Sequence, residues 1–263
     1  QSQASTYRAM EERHPEVLER VRRRVAEGRW EVTASTWVEG DLNMECGESL
    51  ARHLLLTRPY IQKILGVRPR ICWEPDTFGH VATLPQLLQQ AGIEYYYFCR
   101  AGKGQSLFWW EGLDGSRVLA FNDPLGYNGV IEPRSVAAPA LDLAQRYGLK
   151  RGLFLYGVGD HGGGATAWDI EAARLLDETP LLPRAKMSDL ISFYDAVKGA
   201  KLPTIRGELN TTFEGCYTTH GDIKKLNRSC ENALLTAETL STLAATWAGA
   251  AYPLHVFDET WRT

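Results

Sequence analysis

The sequence predicts an α/β fold, with an irregular barrel or a mostly parallel sheet followed by a long helical segment. Short apolar runs alternate with longer amphipathic segments along most of the chain, which is the order of strand and helix in βα units. The 263 residues, 44% of them hydrophobic, are enough for one barrel-sized domain with its own core and for part of a second domain.

Helices are predicted where apolar residues recur at helical spacing or where end signals flank a segment. Gly28 ends the first predicted helix, Pro85 lies in the first turn of the third, and Ser188 is the expected cap of a later one. The predicted helices cover residues 6–26, 48–65, 82–91, 135–147, 168–178, 188–197 and 222–245.

Strands are predicted for short apolar or alternating runs between these helices. Asp114-Gly115 separates two of the runs and is a strong signal for a tight hairpin turn. The predicted strands or extended segments cover residues 30–38, 67–73, 93–99, 107–111, 117–122, 151–156 and 202–209.

Composition and charge narrow the classes of partner. A net charge of -3 gives no reason to expect nucleic acid or an anionic membrane, and no apolar run approaches the length of a membrane span. The five cysteines are scattered and odd in number, which predicts reduced thiols in a cytoplasmic protein. The chain begins without methionine, so we expect a fragment; a homo-oligomer stays among the open options.

The segment WEPDTFGH, residues 73–80, carries the clearest chemical signal. Its Asp76 follows a predicted strand and precedes a predicted helix, and Gly79 gives the backbone room to bend. Loops at the carboxyl ends of strands hold the catalytic groups of many α/β folds, so Asp76 is a candidate nucleophile, metal ligand or both. The alternative is a helix-capping aspartate between two core aromatics, Trp73 and Phe78.

Two further loops offer polar groups. Glu39, Asp41 and Asn43 follow the first predicted strand and suit sugar hydroxyls, although the same residues are common in plain turns. The loop GVGDHGGG, residues 157–164, surrounds Asp160 and His161 with glycines that permit close approach of a ligand. It lacks the Gly-Lys-Ser/Thr ending of a phosphate-binding loop and the GxGxxG spacing of a dinucleotide-binding turn.

Five ordered stretches resemble glycoside hydrolase family 38, the α-mannosidases. Besides WEPDTFGH followed by ATLPQLLQQAGI, they are GRWEVTASTWVEGDLNMECGESLARHLL, FWWEGLDGSRVLAF, LYGVGDHGGGAT and GELNTTFEGCYTTHGDIKKLNR. The resemblance implies a barrel of the seven-stranded type whose first strand is absent here. It places the catalytic α/β domain at residues 1–212 and the start of a middle helical bundle at 213–263.

The resemblance also implies chemistry. Asp76 would be the nucleophile of a retaining, zinc-assisted hydrolysis of terminal α-mannosides through a covalent mannosyl-aspartate, and Asp160 the general acid/base. The substrate would be an oligosaccharide or simple mannoside. The side chains expected to contact it are Trp73, Glu39, Asp41, Asn43, His80 and Tyr217.

The chain departs from the family pattern at the implied Zn²⁺ site. The family's ligands are a His-x-Asp pair before Asp76, Asp76 itself, and a late histidine. The pair is absent, and where some relatives have His-x-Gly-x-Tyr-Thr this chain has FEGCYT, residues 213–218. His220 and His161 are the candidate replacements; alternatively, His220 caps the last helix and His161 only hydrogen-bonds within its loop.

Two rival functions stay open at this stage. A metal-dependent carbohydrate deacetylase would use an Asp with a His-x-x-x-His pair, which this sequence does not contain. A non-catalytic sugar-binding fragment would keep the aromatic and polar loops but would not need Asp76 and Asp160 to lie together.

Overall fold

The computed structural model describes residues 3–160 and 162–262, and a five-stranded sheet forms their centre. The strand order is β1-β2-β4-β3-β5, with β1, β2 and β4 parallel, β3 antiparallel to β4, and β5 parallel to β3. The prediction of a mixed α/β fold with a mostly parallel sheet is therefore confirmed. The strands are β1 Ile71–Glu74, β2 Tyr95–Phe98, β3 Leu107–Glu111, β4 Arg117–Asn122 and β5 Thr204–Arg206.

Helices surround the sheet and continue after it. The last long helix of the described chain, α8, is followed by a short one, α9, which the sequence analysis did not predict. The helices are α1 Ala4–Arg13, α2 Pro15–Ala26, α3 Gly47–Leu65, α4 Leu84–Gln90, α5 Pro133–Tyr147, α6 Ala167–Glu178, α7 Leu190–Val197, α8 Gly221–Ala248 and α9 Leu254–Arg262, with a 3₁₀ turn at Glu214–Tyr217.

The sheet is buried on both faces, which is why its strands read as apolar runs rather than as alternating ones. Along β2, Tyr96 and Phe98 pack into a core that α3 and α4 also line, whereas Tyr95 and Tyr97 pack against α5 and α7 on the other face. All four side chains are at most 1% exposed. Aromatic side chains thus fill both layers beneath the carboxyl ends of the strands.

Both strands of the β3–β4 hairpin begin and end at the predicted residues. Its strands pair from Leu107–Phe121 to Glu111–Arg117, and Gly115 adopts a φ of 86° in the connecting turn. A positive φ there explains why the sequence carries Asp-Gly at this point.

One predicted helix is divided in two. Residues 6–26 form α1 and α2, and His14 between them has φ −142° and ψ 58°. The break arises because Pro15 donates no backbone hydrogen bond and disfavours a helical conformation at the residue before it. The cap of α7 also differs from the prediction: Asp189, not Ser188, accepts the Ser192 N–H at 2.7 Å.

Two predicted strands, residues 30–38 and 151–156, do not join a ladder in the described structure. Among the described residues they form isolated bridges, Thr36 to Gln3 and Tyr156 to Gly129. The first segment is buried by α1, α2 and α3 rather than by neighbouring strands, so its apolar character reflects helix packing.

Parallel pairing of β1, β2 and β4 sends their carboxyl ends to one edge of the sheet. The residues that follow these strands, from Pro75, Cys99 and Asp123 onward, therefore meet at that edge. In the part of the chain that the structure describes, no helix has both the length and the apolar character needed to cross a membrane.

Candidate active site

Asp76 lies two residues beyond β1 and forms an ion pair with Arg100, two residues beyond β2. Arg100 approaches Asp76 Oδ1 with both Nε and Nη2 at 2.7 Å. The pair raises the pKa of Arg100, chiefly through the hydrogen bond to Asp76. The two contacts hold the Asp76 carboxylate in one position at this edge of the sheet.

Tyr127 connects this pair to the glycine-rich loop. Its hydroxyl donates a hydrogen bond to Asp160 Oδ1 at 2.5 Å. Burial, the bond to Asp160 and the negative charges of Asp76 and Asp160 all raise the pKa of Tyr127, so its hydroxyl stays protonated. Both predicted catalytic carboxylates thus act on one phenol group, at the edge where β1 and β4 end.

Two glutamates support the turn that carries Asp76. Glu39 Oε1 accepts the backbone N–H of Asp76 at 3.0 Å. Glu74 is fully buried and accepts the hydroxyls of Thr36 at 3.2 Å and Thr77 at 3.0 Å. Burial first, and then the charge of Glu39, raises the pKa of Glu74 well above its ordinary value, which favours a neutral acid.

Gly79 lies beneath a cluster of polar side chains. A Cβ at this position would come within 2.1 Å of Asn43 Nδ2, 2.4 Å of Tyr217 Oη and 3.0 Å of Asn210 Oδ1. The predicted sugar-binding residues Asn43 and Tyr217 therefore meet, but their polar atoms face the backbone of the Asp76 turn and are inaccessible to solvent.

The other two predicted polar residues, Asp41 and His80, lie in different surroundings. Asp41 Oδ1 accepts the N–H groups of Asn43 at 2.9 Å and Met44 at 3.2 Å, so its carboxylate shapes the loop as the turn alternative proposed. His80 is fully buried, bonds Tyr96 through Nδ1 at 2.6 Å, and has a pKa lowered by burial to about 3. His80 is thus a neutral core residue, and its contact with sugar stays a prediction.

Trp73 is half-buried and stacks on Tyr97, with ring centroids 4.1 Å apart. It also lines a cleft of about 700 Å³ to which Tyr127, Phe154 and Phe193 contribute. Trp73 and Tyr127 thus connect the site edge to this cleft, although Asp76 and Asp160 are not among the residues that line it.

The described residues do not by themselves compose a zinc site. Within residues 3–160 and 162–262, no three His, Cys, Asp or Glu side chains are grouped so that they could hold a metal. His220 occupies the N-cap position of α8 and is exposed, and His161 lies outside the described residues. Phe213 packs its ring on Phe78, 5.1 Å between centroids, so an aromatic ring lies against the Asp76 segment.

Neither the pairing of Arg100 with Asp76 nor the bond from Tyr127 to Asp160 was predicted from the sequence. Arg100 directly follows the apolar run 93–99, and Tyr127 lies in the loop after the run 117–122. A search for polar residues just beyond each predicted parallel strand would have found both, because those ends share one edge of the sheet.

Comparison with known proteins identifies the family of the chain. A profile described as "Glycosyl hydrolases family 38 N-terminal domain" matches residues 1–215, and one described as "Alpha mannosidase middle domain" matches residues 211–263. The chain belongs to glycosyl hydrolase family 38.

Family 38 relatives match nearly the whole chain. Alpha-mannosidase 2C1 of Homo sapiens is 33% identical over 99% of this chain and 26% of its own length. Alpha-mannosidase of Saccharomyces cerevisiae is 30% identical over 99% of this chain and 26% of its own length. The chain thus spans about a quarter of the length of these relatives.

A solved family 38 structure shares the fold. The alpha-mannosidase from Enterococcus faecalis V583 superimposes with a TM-score of 0.81 at 24% identity, over 99% of this chain and 32% of that one. The likeness confirms the arrangement of the sheet and its helices.

Gly79→Ala should destabilise the protein by roughly 1–3 kcal/mol, because the new methyl group displaces Asn43 and Tyr217 from a packed cluster. Urea unfolding measures the change. Gly47→Ala is the matched control: nothing lies within 4 Å of its added Cβ, so its effect should be small. Equal effects of the two substitutions would contradict the packing of the cluster.

Asp123 gives the site edge a predicted pH dependence. It is 3% exposed and accepts the Tyr97 hydroxyl and the Leu125 N–H, each at 2.9 Å. Burial raises its pKa to about 6, against the opposing effect of these bonds. Between about pH 4 and 6 the folded chain keeps a proton that the unfolded chain has released, so this group's contribution to stability falls as pH rises.

The change in the free energy of unfolding caused by Asp123→Asn should therefore be more favourable at pH 7 than at pH 4, by up to about 3 kcal/mol. Urea unfolding at the two pH values measures this difference. Asp114→Asn is the control with the opposite sign, since bonds from Ser116 lower the pKa of that exposed carboxyl. The same effect of Asp123→Asn at both pH values would show that the carboxyl is not a buried acid.

Proposed function

We propose that this chain is the catalytic α/β part of a longer retaining α-mannosidase that acts on terminal α-mannosides. The observation that carries the proposal is the Tyr127 hydroxyl, which bonds Asp160 and is perturbed by the charge of Asp76. A retaining glycosidase needs two carboxylates roughly 5 Å apart, one on each side of the anomeric carbon. A phenol that bonds one of these carboxylates and is affected by the charge of the other supports this class over a binding-only module.

In the proposed mechanism, Asp76 attacks the anomeric carbon and forms a mannosyl ester, while Asp160 protonates the leaving oxygen. Asp160 then removes a proton from the water that hydrolyses the ester. Arg100 holds the Asp76 carboxylate in place before attack, and Glu39 holds the backbone of Asp76 through the 3.0 Å bond to its amide. Tyr127 occupies Asp160 Oδ1, which leaves Oδ2 to exchange the proton.

Trp73 is the proposed sugar-stacking surface, because it is half-buried and held flat by Tyr97. Asn43 and Tyr217 are proposed to act mainly by shaping the Asp76 turn. The specificity for mannose and for a particular linkage would then depend on groups that line the cleft beside Trp73 and Tyr127.

Zn²⁺ is proposed from the family resemblance alone. Of the described residues, Asp76 and His220 are the proposed ligands, and the Asp76 carboxylate pairs with Arg100.

The domain limits and compartment also stay proposals. We propose a boundary at residues 212/213, with α8 and α9 opening a helical bundle, and a barrel as the form of the catalytic domain. All five cysteines are free thiols, which suits a reducing, cytoplasmic location.

The proposed role of Asp76 predicts that Asp76→Ala in the longer enzyme lowers kcat on an aryl α-mannoside by at least about 10³-fold, because no nucleophile remains. Asp177→Ala, on the exposed side of α6, is the control and should keep normal rates. Near-normal turnover by Asp76→Ala would remove this residue from the mechanism.

The acid/base assignment predicts a different signature for Asp160→Ala. With an aryl mannoside carrying a good leaving group, hydrolysis of the ester should slow more than its formation, and added azide should restore the rate by replacing the activated water. Asp114→Ala, on the exposed hairpin turn, should need no rescue. If azide rescues Glu74 or Asp114 variants instead, Asp160 is the wrong carboxylate.

The zinc proposal predicts that the 263-residue chain alone binds Zn²⁺ more weakly than about 1 μM, because a complete site supplies roughly 10 kcal/mol or more. Isothermal titration measures this, with Asp76→Ala as the matched variant, expected to bind equally weakly. Tight 1:1 binding that Asp76→Ala abolishes would mean that a full metal site lies within this chain.

A further inference from the structure

The loop of residues 39–46, here the site loop, braces the turn that carries Asp76. Glu39 Oε1 accepts the Asp76 N–H at 3.0 Å, and the Thr77 hydroxyl donates to Gly40 O at 3.4 Å. Leu42 forms a parallel bridge with His80. The position of Asp76 therefore depends on how firmly the site loop itself is held.

The far end of the site loop is held by α8. Glu231, 4% exposed, accepts the Cys46 N–H at 2.9 Å and the Ser49 hydroxyl at 2.6 Å through Oε1. Its Oε2 lies 2.7 Å from Arg228 Nη1, and Arg228 Nη2 donates to Met44 O at 2.8 Å. Arg228 and Glu231 thus bond the backbone of the site loop on either side of residue 45, at Met44 and Cys46.

The charge on Glu231 suits this contact. Burial alone would raise its pKa, but the bonds from Ser49 and Cys46 and the charge of Arg228 together keep that pKa below its ordinary value. An ionised carboxylate forms stronger hydrogen bonds than a neutral group, so the bonds from Cys46 and Ser49 to Glu231 are charge-assisted.

A second contact on the same helix serves a different purpose. Glu238 lies seven residues further along α8 on the same face and binds Arg52 of α3 in a bidentate pair at 2.8 and 2.7 Å. It also accepts Trp261 Nε1 of α9 at 2.9 Å. Glu238 therefore anchors α8 to α3 without touching the site loop.

We propose that Arg228 and Glu231 are positioning residues that couple α8 to the site loop, so that the second segment of the chain controls the alignment of Asp76. The catalytic consequence rests on the proposed function, whereas the order of the loop does not. Displacement of α8 would release Cys46 and Met44 first, and the Glu39 contact with the Asp76 amide would loosen after them.

Hydrogen–deuterium exchange of the 263-residue chain tests the coupling directly. Glu231→Ala should raise the exchange of the amides at residues 43–46 by about tenfold or more, because Cys46 loses its acceptor and the loop loses its anchor. Glu231→Gln keeps an acceptor for Cys46 and Ser49 and should restore much of the protection. Glu238→Ala is the matched control and should raise exchange in α3 and α9 but not in the site loop.

If Glu231→Ala fails to fold, Arg228→Ala serves in its place, since the Arg228 side chain is half-exposed and its loss removes only the bonds to Met44 and Glu231. Unchanged exchange at residues 43–46 in the folded variant, or an equal rise in Glu238→Ala, would overturn the coupling.

A kinetic readout in the longer enzyme separates positioning from general stability. Glu231→Ala should lower kcat on an aryl mannoside by about tenfold or more while KM changes little, because misalignment of a nucleophile affects the transition state more than ground-state binding. Equal kcat for Glu231→Ala and wild type would overturn the inference. An inactive wild-type enzyme with the expected exchange pattern would contradict the proposed function and leave the coupling supported.

Discussion

The parallel pairing of β1, β2 and β4 is the constraint on which the rest of the site depends. Because these strands run in one direction, the chain leaves each of them at the same edge of the sheet. Asp76, Arg100 and Tyr127 are separated in sequence, yet each lies just beyond one of these strands. Their ion pair and the bond to Asp160 follow from that arrangement.

Burial on both faces makes this edge rigid. Aromatic side chains of β2 fill the core above and below the sheet, and His80 lies among them as a neutral ring. Glu74, beneath the Asp76 turn, is buried with its hydroxyl partners Thr36 and Thr77. A turn supported by so many buried contacts has few alternative positions, which suits the role proposed for Asp76.

The site is also connected to parts of the chain outside the sheet. The site loop lies between the Asp76 turn and α8, so contacts from the two matched family segments converge on residues 39–46. Charged hydrogen bonds hold the outer end of this loop, and the backbone amide of Asp76 holds the inner end. The two segments thus share one structural element at the site.

The sequence by itself determined the α/β class, the β3–β4 hairpin and the position of Asp76 between a strand and a helix. These features follow from local patterns: apolar runs, an Asp-Gly turn that needs a positive φ, and a glycine beside the carboxylate. The ordered motifs also indicated the family, and the comparison with known proteins confirmed it. Each of these signals is carried by residues close together in the chain.

Only the tertiary structure decided which side chains and segments contact one another. Residues 30–38 are buried by helices. Their local sequence cannot be distinguished from that of a strand, because a segment buried by helices and a buried strand are both apolar. Likewise, the sequence places His80 beside Asp76, but the packing of β2 and β3 turns its ring into the core. The pairing of Asp76 with Arg100 depends on strand order, and strand order is set by contacts between residues distant in sequence.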